Sequence, residues 1–283
     1  MADVRIVTDS ACDLTDDELN ELDIALVPLS IRFGAEEFTD RIGLSTAEFY
    51  KRLATSPDVP QTAAPAPGAF AEAFRGARAN GASAVVCINL SSQLSATMQA
   101  AQNAATAVAD EIPVSVLDSR SITAGLGTIV IRAAEAARAG ATVEAITSIV
   151  DDLRSRQRIY GTLDTLENLK RGGRIGGAAA LLGSMLSIKP LVDLSSGAVA
   201  EAGKTRTRKK AFAWLRDAVV QHGAVENLRV MHSEAPDVDE FLELLGQAVD
   251  RSSIRVGPIG AVIGAHAGPR VVGVAFHTAL TGE

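Results

Sequence analysis

The chain has 283 residues, of which 47% are hydrophobic, 4% are aromatic and 22% are charged, and its formal net charge is −7. This length suits two domains, and the apolar content excludes a disordered chain. Scarce aromatic residues and an acidic balance also exclude recognition of nucleic acid by base stacking or by a broad basic face, so we expect no nucleic-acid partner.

Cysteine usage and the N-terminus bear on the compartment. Cys12 and Cys87 lie far apart without ligand spacing, so neither a disulfide framework nor a zinc site is expected. The polar start at 1–5 leads directly into a strand-like run, which predicts no signal peptide. No apolar run is long enough for a transmembrane helix. We therefore expect a cytoplasmic protein that needs no metal or other cofactor.

Strand-like and helix-like patterns alternate through the first half of the chain. Buried apolar runs predict strands at 4–7, 24–29, 84–90 and 114–117. Amphipathic or alanine-rich segments predict helices after Asp13 and at 67–80, 95–110 and 123–138. This alternation is typical of βαβ units, so we predict the α/β class, with a Rossmann-like domain and a largely parallel sheet over 1–160.

The pattern changes in the second half, which we predict to be an α+β domain over 161–283 with a soft boundary. The predicted strands lie at 159–163, in a hairpin of 189–194 with 198–202, at 228–233, and in a last pair around His266. The predicted helices lie at 165–170, 177–186, 209–220 and 238–250.

Hydroxyl-bearing loops follow three of the predicted strands of the first domain, at 8–10, 91–92 and 118–119. Ligands of parallel sheets bind beyond the carboxyl ends of the strands. Ser95 stands where a strand gives way to a helix, so the positive end of the helix and the hydroxyl could hold a carboxylate, although a plain helix cap is equally compatible. Thr62, in a segment stiffened by prolines, could face the same loop or lie in an ordinary surface connection.

Three further segments carry candidate polar groups. His266 lies in a run of small and apolar residues at 260–269, where it could bind an acid group or be a satisfied interior histidine. Arg174, on a glycine-flanked turn, could be an anion partner or form a salt bridge at a helix end. The segment 204–210 holds five basic residues, which fits a solvated helix start or a docking site for an acidic partner.

Catalytic and nucleotide-binding motifs receive little support. The run 197–205 resembles a phosphate loop but has five residues between its glycines where that motif has four, and no G-x-G-x-x-G or G-x-S-x-G occurs. Asp9, Ser95 and His266 could form a triad, so a small-molecule hydrolase or transferase that uses Ser95 and His266 remains the alternative function.

Taken in order, these segments resemble the DegV family, bacterial fatty-acid-binding proteins that serve a fatty-acid kinase. The resemblance spans about residues 3–281 as one unit. Its motifs are Ile6-Val-Thr-Asp9-Ser10, Thr62 with Pro65, Ser91-Ser-Gln-Leu-Ser95-Ala-Thr97, Leu169-Lys-Arg-Gly-Gly-Arg174-Ile, Ile188-Lys-Pro190, Lys204-Thr-Arg206-Thr and Gly264-Ala-His266-Ala-Gly-Pro.

The resemblance implies a lipid carrier without catalytic activity, whose two domains enclose a long-chain fatty acid similar to palmitate in an apolar tunnel. In this family, hydroxyls that match Thr62 and Ser95 hold the carboxylate. Residues matching Arg174 and His266 form a supporting polar network, and the residue matching Arg206 contacts the kinase. The implied partners are the fatty acid and a fatty-acid kinase subunit that forms the acyl phosphate, and transient contact with a membrane surface is compatible with this role.

The chain departs from the family pattern at a few positions, which bear on how the head group is placed. Ala63 and Ala64 stand where the family run has Ser-Gln, so part of a polar loop is lost. Gln93 and Ala96 replace glycines beside Ser95, and Arg270 stands where glycine is usual.

Overall fold

The computed structural model describes residues 3–181 and 188–280. Contacts between Cα atoms divide the chain into two compact units, Met1–Ser45 with Pro60–Ser155 and Thr46–Val59 with Arg156–Glu283. The predicted α/β class is confirmed, with a parallel sheet in the first unit and a mixed sheet in the second. The units differ from the predicted domains in two segments, because Thr46–Val59 and residues 156–160 both group with the second unit.

The strands are short and span three to eight residues each. They are β1 (Val4–Asp9), β2 (Ala25–Val27), β3 (Ser30–Phe33), β4 (Glu36–Thr39), β5 (Gln61–Ala63), β6 (Ala84–Asn89), β7 (Val114–Asp118), β8 (Gln157–Thr162), β9 (Lys189–Asp193), β10 (Ala200–Thr205), β11 (Val225–His232), β12 (Arg255–Pro258) and β13 (Val272–Thr278).

The α-helices span five to 16 residues each. They are α1 (Asp16–Glu21), α2 (Thr46–Thr55), α3 (Pro67–Ala79), α4 (Thr97–Ala107), α5 (Thr123–Arg138), α6 (Val143–Arg156), α7 (Glu167–Arg171), α8 (Arg208–Val220), α9 (Val238–Gly246) and α10 (Ala261–Ala267). Short 3-10 helices span Ser10–Cys12, Gly176–Leu181 and Arg251–Ser253.

The main sheet of the first unit is parallel, with strand order β2-β1-β6-β7. Every residue of β6 is buried, as expected for a strand covered on both faces. Phe70 and Phe74 of α3 are fully buried in a cluster that also contains Ala101 and Ala104 of α4. The apolar period of these helices therefore supplies the cover for this sheet.

A second, antiparallel sheet of the first unit, with order β4-β3-β5, was not predicted. Its strands are short, and β4 has no buried residue, so the local pattern of apolar residues was too weak to predict it. This sheet carries Thr62, which pairs with Ile31.

The sheet of the second unit is mixed, with order β10-β9-β8-β13-β11-β12. The predicted hairpin is confirmed as β9 and β10, which pair antiparallel. α8 and α9 bury Phe212, Leu215 and Phe241 in the same core cluster as Phe276 of β13. The predicted helix at 177–186 is a 3-10 helix over Gly176–Leu181, and residues 182–187 lie outside the described part of the chain.

His266 corrects one prediction. It was predicted to lie within the last pair of strands, whereas it lies in the short helix α10, which is followed by Gly268 with φ of +80°. A Cβ at Gly264 would lie 2.5 Å from the Tyr50 hydroxyl oxygen and 2.9 Å from a ring carbon of Phe49, so this turn packs closely on α2. Contacts distant in sequence thus favour the helix over the strand.

Candidate functional site

The carboxyl edge of the parallel sheet brings the predicted polar loops to adjacent strands. β1 has β2 on one side and β6 on the other, so the strand order reverses direction between β1 and β6. Ligands of open α/β sheets bind in the crevice outside such a switch point. The loops after β1, β6 and β7 all leave the sheet at this edge.

Asp9, at the end of β1, fixes the start of the loop after β6. Its buried carboxylate accepts hydrogen bonds from the backbone N–H of Leu90 at 2.8 Å, the side-chain nitrogen of Asn89 at 3.1 Å and the backbone N–H of Ala11 at 3.1 Å. Burial raises the pKa of Asp9 from 3.8 to about 6, although these hydrogen bonds favour the charged form. From the sequence, Asp9 was proposed only as a member of a possible triad, and its role in anchoring the loop after β6 was not predicted.

Residues 90–97, which we call the serine loop, are also held from the side of β7. The backbone N–H of Ser91 donates to the carbonyl oxygen of Ser121 at 2.9 Å. Asp118 accepts from the backbone N–H of Ser92 at 3.2 Å and from its hydroxyl at 2.5 Å. The loop is therefore fixed between carboxylates of β1 and β7.

Ser95 lies half-buried at the end of the serine loop, just before α4. Its Oγ accepts from the backbone N–H of Thr97 at 3.3 Å and shares a hydrogen bond of 2.9 Å with the Thr97 hydroxyl. A hydroxyl that accepts from an N–H can still donate its own proton to a ligand oxygen. Ser95 is thus both a helix-start residue and a candidate donor to a carboxylate.

Thr62 is half-buried on β5. Residues directly opposite in an antiparallel pair project to the same face, so the Thr62 side chain shares the face of the fully buried Ile31. The structure thus places Thr62 and Ser95 in the same unit, Thr62 on the small antiparallel sheet and Ser95 in the loop after the parallel strand β6, and their meeting around one head group stays a prediction.

A cavity of about 250 Å³ lies on this small sheet. Its lining residues are Ser30, Arg32, Glu37, Gln61, Thr62 and Ala63. Apart from Thr62, these residues alternate onto the face opposite to Ile31, so the cavity lies mainly on the face of this sheet away from the buried Ile31. We do not assign it to the acid group.

The turn after α7 brings Arg174 and His266 together in the second unit. A Cβ added at Gly172 would overlap Nδ1 of His266 and would lie 3.2 Å from the carbonyl oxygen of Asn168. Glycine is therefore required for the imidazole to lie against this turn. Arg174 donates to the carbonyl oxygen of Gly172 at 2.7 Å, which keeps the guanidinium on the same turn.

The electrostatics of this turn keep the imidazole neutral. Burial, followed by the positive charge of Arg174, lowers the pKa of His266 from 6.5 to about 4. A neutral imidazole has one nitrogen that donates and one that accepts, so His266 can orient a polar group without bringing a charge.

Arg206 is exposed in the connection between β10 and α8. The next residue, Thr207, begins α8 and accepts from the backbone N–H of Lys210 at 3.3 Å. This agrees with a solvated helix start, and a partner contact at Arg206 stays a prediction.

An ion cluster in the second unit was missed by the sequence analysis. Asp164 accepts from Lys189 Nζ at 2.7 Å and from Arg270 Nε at 3.0 Å, and Arg208 makes a two-point contact with Asp237 at 2.9 and 3.1 Å. Asp164 lies just beyond β8, which is antiparallel to both of its neighbours, so the rule for loops after parallel strands does not apply to it. Arg270, which departs from the family pattern, completes this cluster at a φ of +63°.

Within 3–181 and 188–280, no group of three or more His, Cys, Asp or Glu side chains is arranged to hold a metal ion. Among the helices of that same part of the chain, none is both long enough and apolar enough to cross a bilayer.

Comparison with known proteins identifies relatives along the whole chain. The family model of the DegV family matches residues 3–279. A DegV domain-containing protein of Deinococcus radiodurans is 37% identical and aligns over 96% of this chain and 98% of its own length. A relative from Listeria innocua, also named a DegV domain-containing protein, is 33% identical over the same shares of the two chains.

Solved structures give the same relationship. A DegV family protein from Thermus thermophilus, described by its fatty acid binding, is 31% identical, covers 98% of this chain and 99% of its own, and superposes with a TM-score of 0.88. A protein from Eubacterium ventriosum, described as binding stearic acid, is 26% identical, covers 98% of each chain and has a TM-score of 0.87.

Proposed function

This chain belongs to the DegV family, and we propose that it binds a long-chain fatty acid and presents it to a fatty-acid kinase. The observation that carries the proposal is the serine loop, fixed by Asp9 and Asp118, in a chain that resembles solved fatty-acid-binding relatives over nearly its full length. Thr62 and Ser95 donate to the carboxylate in this proposal, and Arg174 and His266 support them, because each matches a family position.

Burial of the acyl chain provides the affinity. A buried methylene contributes about 0.8 kcal/mol, so a palmitate-like acid with about 14 methylenes gains about 11 kcal/mol before the cost of association. Neutral hydroxyls then suffice to orient the head group. A carrier must also release its ligand, and hydroxyl donors hold a carboxylate less tightly than a buried ion pair would.

The test of lipid binding begins with the protein as purified. We expect mass spectrometry of organic extracts to find a long-chain fatty acid, and the Ser95→Ala and Thr62→Ala variants to bind hexadecanoate about tenfold more weakly, the loss of about one hydrogen bond to a charged group. Ser148→Ala, which removes an exposed hydroxyl of α6, is the control. Hexadecanoate binding unaffected by either variant, or no binding at all, contradicts the proposal.

The alternative is a hydrolase or transferase that uses Ser95 and His266. An imidazole with a pKa of about 4 is a weak base at neutral pH. This observation favours the carrier. Ester turnover by the purified protein that disappears in Ser95→Ala would instead favour the enzyme.

The kinase contact has its own test. We propose Arg206 as a partner contact, so Arg206→Ala should leave the lipid content unchanged and weaken association with a fatty-acid kinase subunit. Arg78→Ala removes an exposed arginine of α3 in the first unit and serves as the control. Loss of bound lipid in Arg206→Ala would show that Arg206 acts on the ligand site instead.

A further inference from the structure

Two hydroxyls at the start of α5 are buried but make no hydrogen bond within the described part of the chain. Ser121 is 1% exposed and Thr123 is 2% exposed. Within the described part of the chain, neither side-chain oxygen has a hydrogen-bond partner. Thr128 of the same helix shows the usual outcome, since its buried hydroxyl donates to the carbonyl oxygen of Ala124 at 2.8 Å. Buried hydroxyls are rarely left unsatisfied unless a ligand or a water completes them.

The position of these hydroxyls favours a negatively charged ligand atom. α5 has 16 residues, and no side chain caps its first turn. The first backbone N–H groups of a helix have no partner inside the helix, and they give this end a partial positive charge. Hydroxyl donors that adjoin such an end can complete the coordination of an oxyanion.

The same segment is tied to the serine loop. The backbone carbonyl oxygen of Ser121 accepts from the backbone N–H of Ser91 at 2.9 Å. The backbone N–H of Ser119 donates to the carbonyl oxygen of Asn89 at 3.1 Å. The start of α5 and the loop that carries Ser95 thus leave the sheet side by side, at the ends of β7 and β6. A ligand bound at this edge of the sheet would have both segments as neighbours.

We propose that the hydroxyls of Ser121 and Thr123 donate hydrogen bonds to the carboxylate of the bound fatty acid, as a second set of donors beside Ser95. This inference rests on the proposed function and names two further binding residues for it. Neither hydroxyl has to give up an internal bond to engage the ligand. Both are shielded from solvent, so hydrogen bonds to a carboxylate form there in a low dielectric and are correspondingly strong.

The test is a Ser121→Ala/Thr123→Val double variant, with hexadecanoate and hexadecan-1-ol as probes in a displacement titration. We expect hexadecanoate to bind at least about tenfold more weakly, since two hydrogen bonds to a charged group are lost. Affinity for the uncharged alcohol should change less than threefold. The unfolding midpoint of the lipid-free protein should stay equal or rise, because apolar groups replace unsatisfied polar ones.

Single variants separate a ligand contact from a packing effect. Thr123→Ser keeps the hydroxyl and should retain hexadecanoate affinity that Thr123→Val loses. Thr128→Val removes a hydroxyl that is already satisfied and should leave the affinity unchanged.

Three outcomes would overturn the inference. One is unchanged hexadecanoate affinity in the double variant while Ser95→Ala weakens binding, which leaves the proposed function intact and identifies the hydroxyls as sites of an ordered water only. Another is equal loss of affinity for acid and alcohol, which indicates a packing effect. If the unaltered protein binds no hexadecanoate, the proposed function itself fails.

Discussion

The serine loop of the first unit and the turn of Arg174 and His266 in the second unit handle a buried ionisable group in opposite ways. Asp9 is surrounded by N–H donors, so it serves as a fixed acceptor even though burial raises its pKa to about 6. His266 lies beside a cation, and its pKa falls to about 4. In the first region the Asp9 carboxylate holds backbone N–H groups in place. In the second region burial and the charge of Arg174 keep the His266 imidazole neutral.

Close glycine contacts occur in both units, but against different neighbours. A Cβ at Gly127 of α5 would lie 2.6 Å from the carbonyl oxygen of Cys12, which is backbone beside β1. A Cβ at Gly172 would meet the ring of His266, which is a side chain. Backbone cannot move aside as a side chain can, so Gly127 should tolerate substitution less well than Gly172.

Gly127→Ala should therefore have the largest effect. The added methyl also lies 2.8 Å from Leu14, and we expect the free energy of unfolding to fall by about 3 kcal/mol despite the better helix propensity of alanine. Chemical denaturation measures this. Gly76→Ala in α3, where nothing lies within 4 Å, should stabilise by about 0.5–1 kcal/mol. Equal effects of the two changes would contradict the packing at Gly127.

Asp9→Asn tests the buried charge by its pH dependence. Between pH 3.8 and about 6 the folded protein holds a proton on Asp9 that the unfolded chain lacks, so the contribution of Asp9 to stability grows as the pH falls. The stability of the unaltered protein relative to Asp9→Asn should rise by about 2–3 kcal/mol between pH 7 and pH 4. If burial left the pKa of Asp9 unchanged, denaturation would show the same difference in stability between the two proteins at every pH of this range.

Gly172→Ala should destabilise the second unit by about 1–2 kcal/mol, because the imidazole has to rotate away from the turn. NMR titration gives a sharper readout, since a displaced His266 should recover a pKa closer to 6.5. Gly257→Ala, with nothing within 4 Å, is the matched control and should leave that titration unchanged. An unshifted His266 in Gly172→Ala would refute the contact.

His266→Gln should show a pH effect of about the same size as that of Asp9→Asn, about 2–3 kcal/mol, with the opposite sign. The unfolded chain takes up a proton on His266 near pH 6.5 and the folded protein only near pH 4, so this contribution to stability is lost as the pH falls. The unaltered protein should therefore lose stability relative to His266→Gln between pH 6.5 and pH 4. A difference that stays constant over this range would show that the ring titrates normally.

Local pattern predicted the first unit well where strands are buried on both faces. The apolar runs at 4–7, 84–90 and 114–117 form β1, β6 and β7, and helix periodicity located α3 and α5. It failed at β3, β4 and β5, whose strands are short and partly exposed. It also failed at His266, where close packing of Gly264 on α2 supports a helix that a run of small apolar residues does not specify.

By itself the sequence determined the alternation of strands and helices, the family, and the hydroxyl-bearing loops, because each of these depends on residues that are close together in the chain. The anchoring of the serine loop by Asp9 joins residues 81 positions apart, and the approach of His266 to Gly172 joins α10 to the turn after α7. Those contacts, and the pKa values that burial imposes on Asp9 and His266, depend on which surfaces the folded chain brings together. Only the tertiary structure could decide them.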